Sequence, residues 1–86
     1  MYQVKVAEDA AKFIRKQDKH IQSQLISNIR TLAENPHPHG CKKLHGFENL
    51  YRISSGNYRI VYTIREKILV VFVVRVAHRK DVYRNL

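Results

Sequence analysis

This chain lacks most of the features that mark secreted, membrane or nucleotide-binding proteins. Its only cysteine is Cys41, so no intrachain disulfide can form and a reducing compartment fits best. No apolar run approaches the roughly 20 residues that span a bilayer, and the first residues, Met1 to Val6, are too short and too polar for a signal peptide. The sequence also has no glycine-rich phosphate loop. We therefore expect one cytoplasmic domain, residues 1–86, with no membrane contact.

Nucleophiles and metal ligands are also scarce. Ser54 and Ser55 lie in turn sequence and lack the strand–elbow–helix context of a hydrolase serine. No two carboxylates form a recognisable acid/base pair. The possible metal ligands have spacings unlike those of structural zinc sites, and no second ligand pair lies elsewhere; they are His37, His39, Cys41 and His45. We expect no metal and no other cofactor.

Acidic residues are outnumbered, with 7 Asp and Glu against 16 Lys and Arg and a formal net charge of +9. Residues 1–40 contain six basic and four acidic side chains, whereas residues 41–86 contain ten and three. An excess concentrated in one half of the chain indicates a polyanionic partner, either nucleic acid or an acidic protein. RNA fits a chain without a nucleophile, because RNA supplies its own 2′-hydroxyl.

The apolar pattern predicts an α+β fold in the order β-α-α-β-β-β. Alternating residues indicate strands, and apolar residues at helical spacing indicate helices. The predicted elements are a strand at Tyr2–Val6, helices at about Glu8–Gln17 and from the N-cap Asp18 to about Glu34, and strands at Leu50–Ile53, Tyr58–Ile64 and Ile68–Val76. We expect the two helices to cover one face of a small, mainly antiparallel four-stranded sheet and to leave the other face partly open.

Basic residues in and beside the predicted strands are the first candidates for a functional site. Arginine within a strand is costly unless that face meets an anion. Arg59 is the strongest candidate, since it is out of phase with the bulky residues of its strand, and Arg52 and Arg79 should converge on the same end of the sheet. In the alternative interpretation, Arg59 extends to water or pairs with Glu48 or Glu66.

The segment after the last predicted strand adds His78, Lys80 and Tyr83. An imidazole has an unperturbed pKa near 6.5, so His78 suits general acid/base catalysis if its ring faces the site. Tyr83 can stack on a nucleobase, or it can simply anchor the C-terminus to the core. Upstream, Lys42, Lys43 and His45 form either a phosphate-binding loop or an ordinary solvated one.

These segments, in this order, resemble RelE-type toxins of bacterial and archaeal toxin–antitoxin systems, in the RelE/ParE superfamily. The resemblance covers nearly the whole chain, including the β-α-α-β-β-β order. It is carried by KKLHG at 42–46, LYRI at 50–53, YRIVY at 58–62 and VAHRKDVY at 76–83.

The resemblance implies an mRNA endonuclease that works in the ribosomal A site and is silenced by an acidic, RelB-like antitoxin. By position, Arg59 matches the arginine that stabilises the scissile phosphate, Arg79 the one assigned to the leaving group, and Tyr83 the tyrosine near the C-terminus. Arg52 and Ser54 stand where well-studied members have lysines, and the second of these is the presumed general base.

The implied reaction is attack of the RNA 2′-hydroxyl on the adjacent phosphorus, with Arg52 and Arg59 neutralising the growing charge. Because Ser54 stands at the lysine position, the general base is either His78 or a group of the ribosome, or it stays unassigned. Two other functions stay open: a ParE-like toxin that inhibits DNA gyrase, and a non-catalytic module that binds RNA or protein.

Overall fold

The computed structural model describes residues 1–84. Its elements, in chain order, are β1 (Gln3–Val6), α1 (Glu8–Arg15), α2 (Lys19–Glu34), β2 (Lys42–Lys43), β3 (Tyr51–Ser55), β4 (Tyr58–Arg65), a short 3₁₀ turn (Glu66–Ile68) and β5 (Val70–His78). None of the helices within this part of the chain is long and apolar enough to cross a membrane.

The strands form one sheet in the order β1-β5-β4-β3-β2. β1 runs parallel to β5, and the other pairs are antiparallel. The predicted α+β class, with two helices and a mainly antiparallel sheet, is confirmed. The predicted count of four strands is wrong, because Lys42 and Lys43 pair with Arg52 and Tyr51 and add a fifth, edge strand. Two residues are too few to show an alternation that a sequence pattern can reveal.

The helix limits follow from local chemistry. Glu8 and Asp9 lie in the first turn of α1, where carboxylates complement the positive end of the helix dipole. α2 begins after Asp18 and ends at Glu34. It ends there because Pro36 cannot donate a backbone hydrogen bond and disfavours helical geometry in the residue before it.

The main core lies between the helices and the sheet. It is made of apolar stripes on both helices and of inward-facing strand residues, and its buried members are Ala10, Ile14, Leu25, Ile29, Leu32, Ile53, Ile60, Tyr62, Val71, Val73 and Val76. The helix stripes recur at three- and four-residue intervals, as a core-facing helix requires. The helices therefore occupy one face of the sheet, as expected.

A β-bulge changes the phase of β5. The pairing with β4 shifts between Val61 and Tyr62, so that Val61 faces Arg75 while Tyr62 faces Val73. Val74 is the extra residue, and the side chains that follow it change faces. Arg75 therefore points away from the helices.

The C-terminal tail folds back over the sheet face opposite the helices. Hydrogen bonds from the Asp81 and Val82 amides to the His78 carbonyl form a turn, at 2.8 and 3.0 Å. Val82 is fully buried in a second apolar cluster with Val61 and Ala77. One valine at the right turn position is thus enough to cover the centre of this face.

Candidate nucleic-acid interface

Four basic residues on neighbouring strands lie together on the sheet face opposite the helices. Residues directly opposite each other in antiparallel strands point to the same face. The pairs Lys42–Arg52, Arg52–Val61 and Val61–Arg75 therefore form one row across the sheet. Arg59 lies in the next row, opposite Ser54. We call this surface, formed by Lys42, Arg52, Arg59 and Arg75, the cationic face.

Arg59 is held by backbone atoms of the turn that precedes it. Its Nη1 donates to the carbonyls of Gly56 and Tyr58, at 3.1 and 3.0 Å. A guanidinium has five N–H donors, so the Nε and Nη2 groups keep three for another acceptor. These two nitrogens form the edge that binds a phosphate or carboxylate in a bidentate manner. Arg59 is therefore oriented before any ligand arrives.

Arg52 and Arg79 lie close to Arg59 in the fold. Arg52 is on the adjacent strand, and its Nη1 donates to Ser54 Oγ at 3.3 Å, directly beside the Arg59 position. The Arg79 amide donates to the Asn57 carbonyl at 2.8 Å, which ties Arg79 to the turn between β3 and β4. Three arginines from separate segments thus lie at one end of the sheet. Ser54, at the position of the family's presumed base, is between two of them.

His78 does not join these arginines. It pairs with Tyr58 across β4 and β5, and the two rings are 5.7 Å apart on the helix side of the sheet. Its Nδ1 accepts a hydrogen bond from the Lys80 amide at 3.2 Å. The bulge in β5 explains this position, because it changes the face of the residues that follow Val74. Lys80 itself is exposed in the tail turn.

Tyr83 follows Arg79 by four residues in the tail and lies at the β2 edge of the sheet. It lines a pocket there with Leu44, His45 and Phe47. His45 is thus placed beside Tyr83. Lys43 pairs with Tyr51, which packs against the main core, so Lys43 is on the helix side of the sheet edge.

Arg75 is a basic residue of this face that was not predicted from the sequence. It is half-buried, and its Nη2 donates to the Asp81 carbonyl of the tail at 3.3 Å. Its Nε is buried and has no hydrogen-bond partner among the described residues. The sequence did contain a signal for Arg75, since this residue interrupts the apolar run of β5. Arginine is rarely buried unless it is paired with another group.

The possible metal ligands have other contacts. His37 Nε2 lies 3.5 Å from Glu66 Oε1 and its ring packs edge-on against Tyr51, while Cys41 Sγ lies 3.0 Å from Tyr62 Oη. Within residues 1–84, no group of three or more His, Cys, Asp or Glu side chains is placed to hold a metal ion.

Tyr62 connects the helix side of the sheet to the loop before β2. Its hydroxyl donates to the Pro36 carbonyl at 2.7 Å, and its ring stacks on Tyr51 at 5.9 Å. Burial, followed by the contact with Cys41, raises the pKa of the Tyr62 phenol well above its ordinary value. The phenol therefore stays neutral and serves as a structural donor.

Comparison with known proteins assigns a family to this fold and surface. A family model described as the ParE toxin of type II toxin–antitoxin systems matches residues 4–83. A putative RelE-like toxin protein of Escherichia coli is 38% identical over 86 residues, covering 95% of this chain and 90% of that protein. Toxin RelE3 of Methanocaldococcus jannaschii is 32% identical over 81 residues, covering 85% and 90%.

Solved structures agree with the sequence comparison. The archaeal RelE–RelB complex of Pyrococcus horikoshii contains a chain with a TM-score of 0.81, 25% identity and coverage of 93% of this chain and 97% of that one. The isolated E. coli RelE toxin gives a TM-score of 0.77 and 31% identity, covering 91% and 84%. The chain therefore belongs to the RelE/ParE superfamily, whose members are toxins of type II toxin–antitoxin systems. Within that superfamily it is a RelE-type toxin, as the resemblance implied.

Proposed function

We propose that this toxin is a ribosome-dependent mRNA endonuclease that acts in the cytoplasm. The observation that supports the proposal best is the position of Arg52 and Arg59 on one sheet face, on either side of Ser54. Among residues 1–84, none of these arginines, nor Arg79, forms a salt bridge with a carboxylate. Their charges are thus available to a phosphate.

The proposed reaction cleaves RNA by transesterification. The 2′-hydroxyl of one nucleotide attacks the adjacent phosphorus, a 2′,3′-cyclic phosphate forms, and the 5′-oxygen leaves and takes up a proton. Arg59 and Arg52 stabilise the charge on the non-bridging phosphate oxygens through donors that are already oriented. Arg79 lies next to the leaving 5′-oxygen. Because a guanidinium stays protonated at neutral pH, it contributes charge and hydrogen bonds rather than a proton.

The proton acceptor is the weakest part of this site. Ser54 replaces the lysine of well-studied relatives, and His78 faces the helix side. His45 lies at the pocket beside Tyr83, beyond the end of β2. We therefore propose that charge stabilisation by the arginines carries most of the rate. Water or a group of the ribosomal A site then accepts the 2′-hydroxyl proton.

An acidic antitoxin is the proposed partner. The similar solved structures include complexes of RelE with RelB, from P. horikoshii and E. coli. A net charge of +9 suits an acidic, partly disordered segment that folds onto the cationic face. Such a segment would silence the toxin by occupying the phosphate site and neutralising its arginines.

A translation assay tests the proposal. Purified toxin should truncate mRNA in a reconstituted translation system and leave fragments with 2′,3′-cyclic phosphate and 5′-hydroxyl ends. The same mRNA without ribosomes should stay intact. Cleavage that needs no ribosome, or intact mRNA while translation stops, would contradict the mechanism.

Inhibition of DNA gyrase is the second candidate, because the family model that matches residues 4–83 is described as a ParE toxin. A gyrase inhibitor would leave mRNA whole and trap supercoiling intermediates in an assay with purified gyrase. A non-catalytic binding module would do neither. Running both assays on one preparation therefore separates the three functions.

A further inference from the structure

The turn after β5 holds the backbone of Arg79 from both sides. The Arg79 amide donates to the Asn57 carbonyl at 2.8 Å, and the Lys80 amide donates to His78 Nδ1 at 3.2 Å. The peptide groups before and after the Arg79 α-carbon are thus both fixed. The Arg79 side chain is exposed and forms no salt bridge in the part of the chain that the structure describes. The turn therefore determines where this side chain begins.

The hydrogen bond from Lys80 to His78 resembles a turn that asparagine and aspartate usually form. In those turns a side-chain oxygen accepts a hydrogen bond from the backbone N–H two residues later. Here the imidazole Nδ1 is the acceptor, and the His78 carbonyl accepts from the Asp81 and Val82 amides at 2.8 and 3.0 Å. His78 thus accepts three of the hydrogen bonds that shape the turn.

Aromatic packing on the helix side of the sheet orients the His78 ring. Its centroid lies 5.7 Å from that of Tyr58, and the two rings meet edge-on. Tyr58 in turn packs edge-on against Phe13 at 5.9 Å, and its hydroxyl donates to Gln17 Oε1 at 3.4 Å. A neutral imidazole has one donor and one acceptor nitrogen, so an accepting Nδ1 places the ring proton on Nε2.

We propose that His78 is a positioning residue for Arg79: its Nδ1 holds the Lys80 amide, and the resulting turn directs the Arg79 guanidinium to the leaving 5′-oxygen. The proposal rests on the proposed function, since it takes that role of Arg79 as given. Because His78 faces the helix side, it contributes geometry rather than acid/base chemistry. Misplacing a catalytic group by about 1 Å can slow a reaction roughly 100-fold, so one hydrogen bond at this place has a large effect.

Two substitutions separate the ring of His78 from its acceptor nitrogen. His78→Asn loses the ring but keeps an acceptor, since the asparagine side-chain oxygen forms the same turn. His78→Phe keeps an aromatic ring against Tyr58 but has no acceptor. His20→Phe is the matched control, because His20 is exposed in α2, outside the tail turn. Urea denaturation shows whether each variant is folded, and His78→Leu replaces His78→Phe if the larger ring unfolds the chain.

The first measurement is the rate of ribosome-dependent mRNA cleavage with the toxin in excess over the ribosomes. His78→Phe should lower the maximal rate roughly 10- to 100-fold and leave the toxin concentration at half-maximal rate unchanged, because only the placement of Arg79 in the transition state is lost. His78→Asn and His20→Phe should stay within a few-fold of the wild type. In an Arg79→Ala background, His78→Phe should slow cleavage by no more than about twofold, since the group that it positions is absent.

Hydrogen exchange of the Lys80 amide tests the turn without reference to activity. Exchange measured by NMR should be roughly 2- to 10-fold faster in His78→Phe than in the wild type, as expected for the loss of one hydrogen bond. In His78→Asn the exchange should remain close to that of the wild type.

The inference is overturned if His78→Asn is as slow as His78→Phe, if His78→Phe cuts mRNA at the wild-type rate, or if its effect is undiminished in the Arg79→Ala background. Equal exchange of the Lys80 amide in all variants would overturn it as well. Failure of the proposed function gives a different result. The wild type then leaves mRNA intact, and the positioning role fails with the nuclease proposal, even if Lys80 exchange still depends on the acceptor at position 78.

Discussion

Val82 of the C-terminal tail packs against Val61 at the centre of the sheet face opposite the helices. Both side chains are fully buried, so the tail covers the centre of the face that we expected to be partly open. The tail covers the middle of the face, and the basic residues lie around it. The same tail segment bonds to the turn between β3 and β4 through Arg79 and contacts the β2 edge through Tyr83.

The first prediction concerns this contact. Val82→Ala removes two buried methyl groups and should lower the free energy of unfolding by about 2 kcal/mol, as measured by urea denaturation. Ile68→Ala is the control, since Ile68 is 69% exposed and should change stability by less than about 0.5 kcal/mol. If Val82→Ala is as stable as the control, the tail does not hold the position described.

The second prediction concerns the arginine cluster. Arg59→Ala should lower the rate of ribosome-dependent mRNA cleavage by about 10²- to 10³-fold, because it removes oriented donors to the phosphate oxygens. Arg79→Ala should have an effect of similar size if Arg79 stabilises the leaving oxygen. Primer extension on a single mRNA measures both rates.

Arg65 offers a control on the same strand and the same face of the sheet. It is exposed and lies six residues, or about 20 Å, from Arg59, so Arg65→Ala changes the net charge equally. Cleavage by Arg65→Ala should stay within a few-fold of the wild type. Equal losses in Arg59→Ala and Arg65→Ala would mean that overall charge, not the arrangement at Arg59, determines the activity.

Much of the fold could be predicted from the sequence, because strong periodic patterns specify both helices and the three long strands. The errors have specific causes. The run of β5 is apolar on both faces, so the sequence shows no alternation along it and the bulge at Val74 could not be predicted. That bulge directs Arg75 to the cationic face and His78 to the helix side.

The candidate site could be predicted where bulky apolar residues alternate with other residues along a strand. Arg59 stands out in β4 because it is out of phase with the bulkiest residues of that strand, and the structure places Arg52 beside it. Phe47 gave no signal, since a single aromatic residue in a loop belongs to no periodic pattern. Its place in a pocket with Tyr83 depends on the fold of the tail, which only the three-dimensional structure reveals.

The third prediction restores the missing base. Ser54 is exposed between Arg52 and Arg59, so Ser54→Lys should be accommodated. The two guanidinium groups should lower the pKa of the new amine and make it a better proton acceptor. General base catalysis typically contributes 10²- to 10⁴-fold, so we expect cleavage to become about tenfold faster or more.

Ser54→Met controls for the length of the new side chain without its amine. If Ser54→Lys and Ser54→Met cut mRNA at the same rate, then proton transfer to a residue at position 54 is not what limits this toxin. A rate for Ser54→Lys that rises with pH below the usual range of lysine would support the assigned role.

The last prediction uses the raised pKa of Tyr62. In the folded chain the phenol is buried and bonded to the Pro36 carbonyl, so it stays protonated beyond its ordinary pKa of 10.0, whereas in the unfolded chain it ionises near that value. Its contribution is therefore complete below about pH 10 and decreases as the pH rises further. Tyr62→Phe should cost about 1–2 kcal/mol at neutral pH, because the Pro36 carbonyl loses its donor.

The difference in stability between the wild type and Tyr62→Phe should shrink by about 1.4 kcal/mol between neutral pH and pH 11, as measured by urea denaturation. Tyr51→Phe is the control: its ring stacks on Tyr62, but its hydroxyl has no hydrogen-bond partner within residues 1–84. That variant should differ from the wild type by less than about 0.5 kcal/mol at neutral pH. A pH-independent difference for Tyr62→Phe would show that the Tyr62 phenol ionises as readily in the folded chain as in the unfolded one, contrary to its burial.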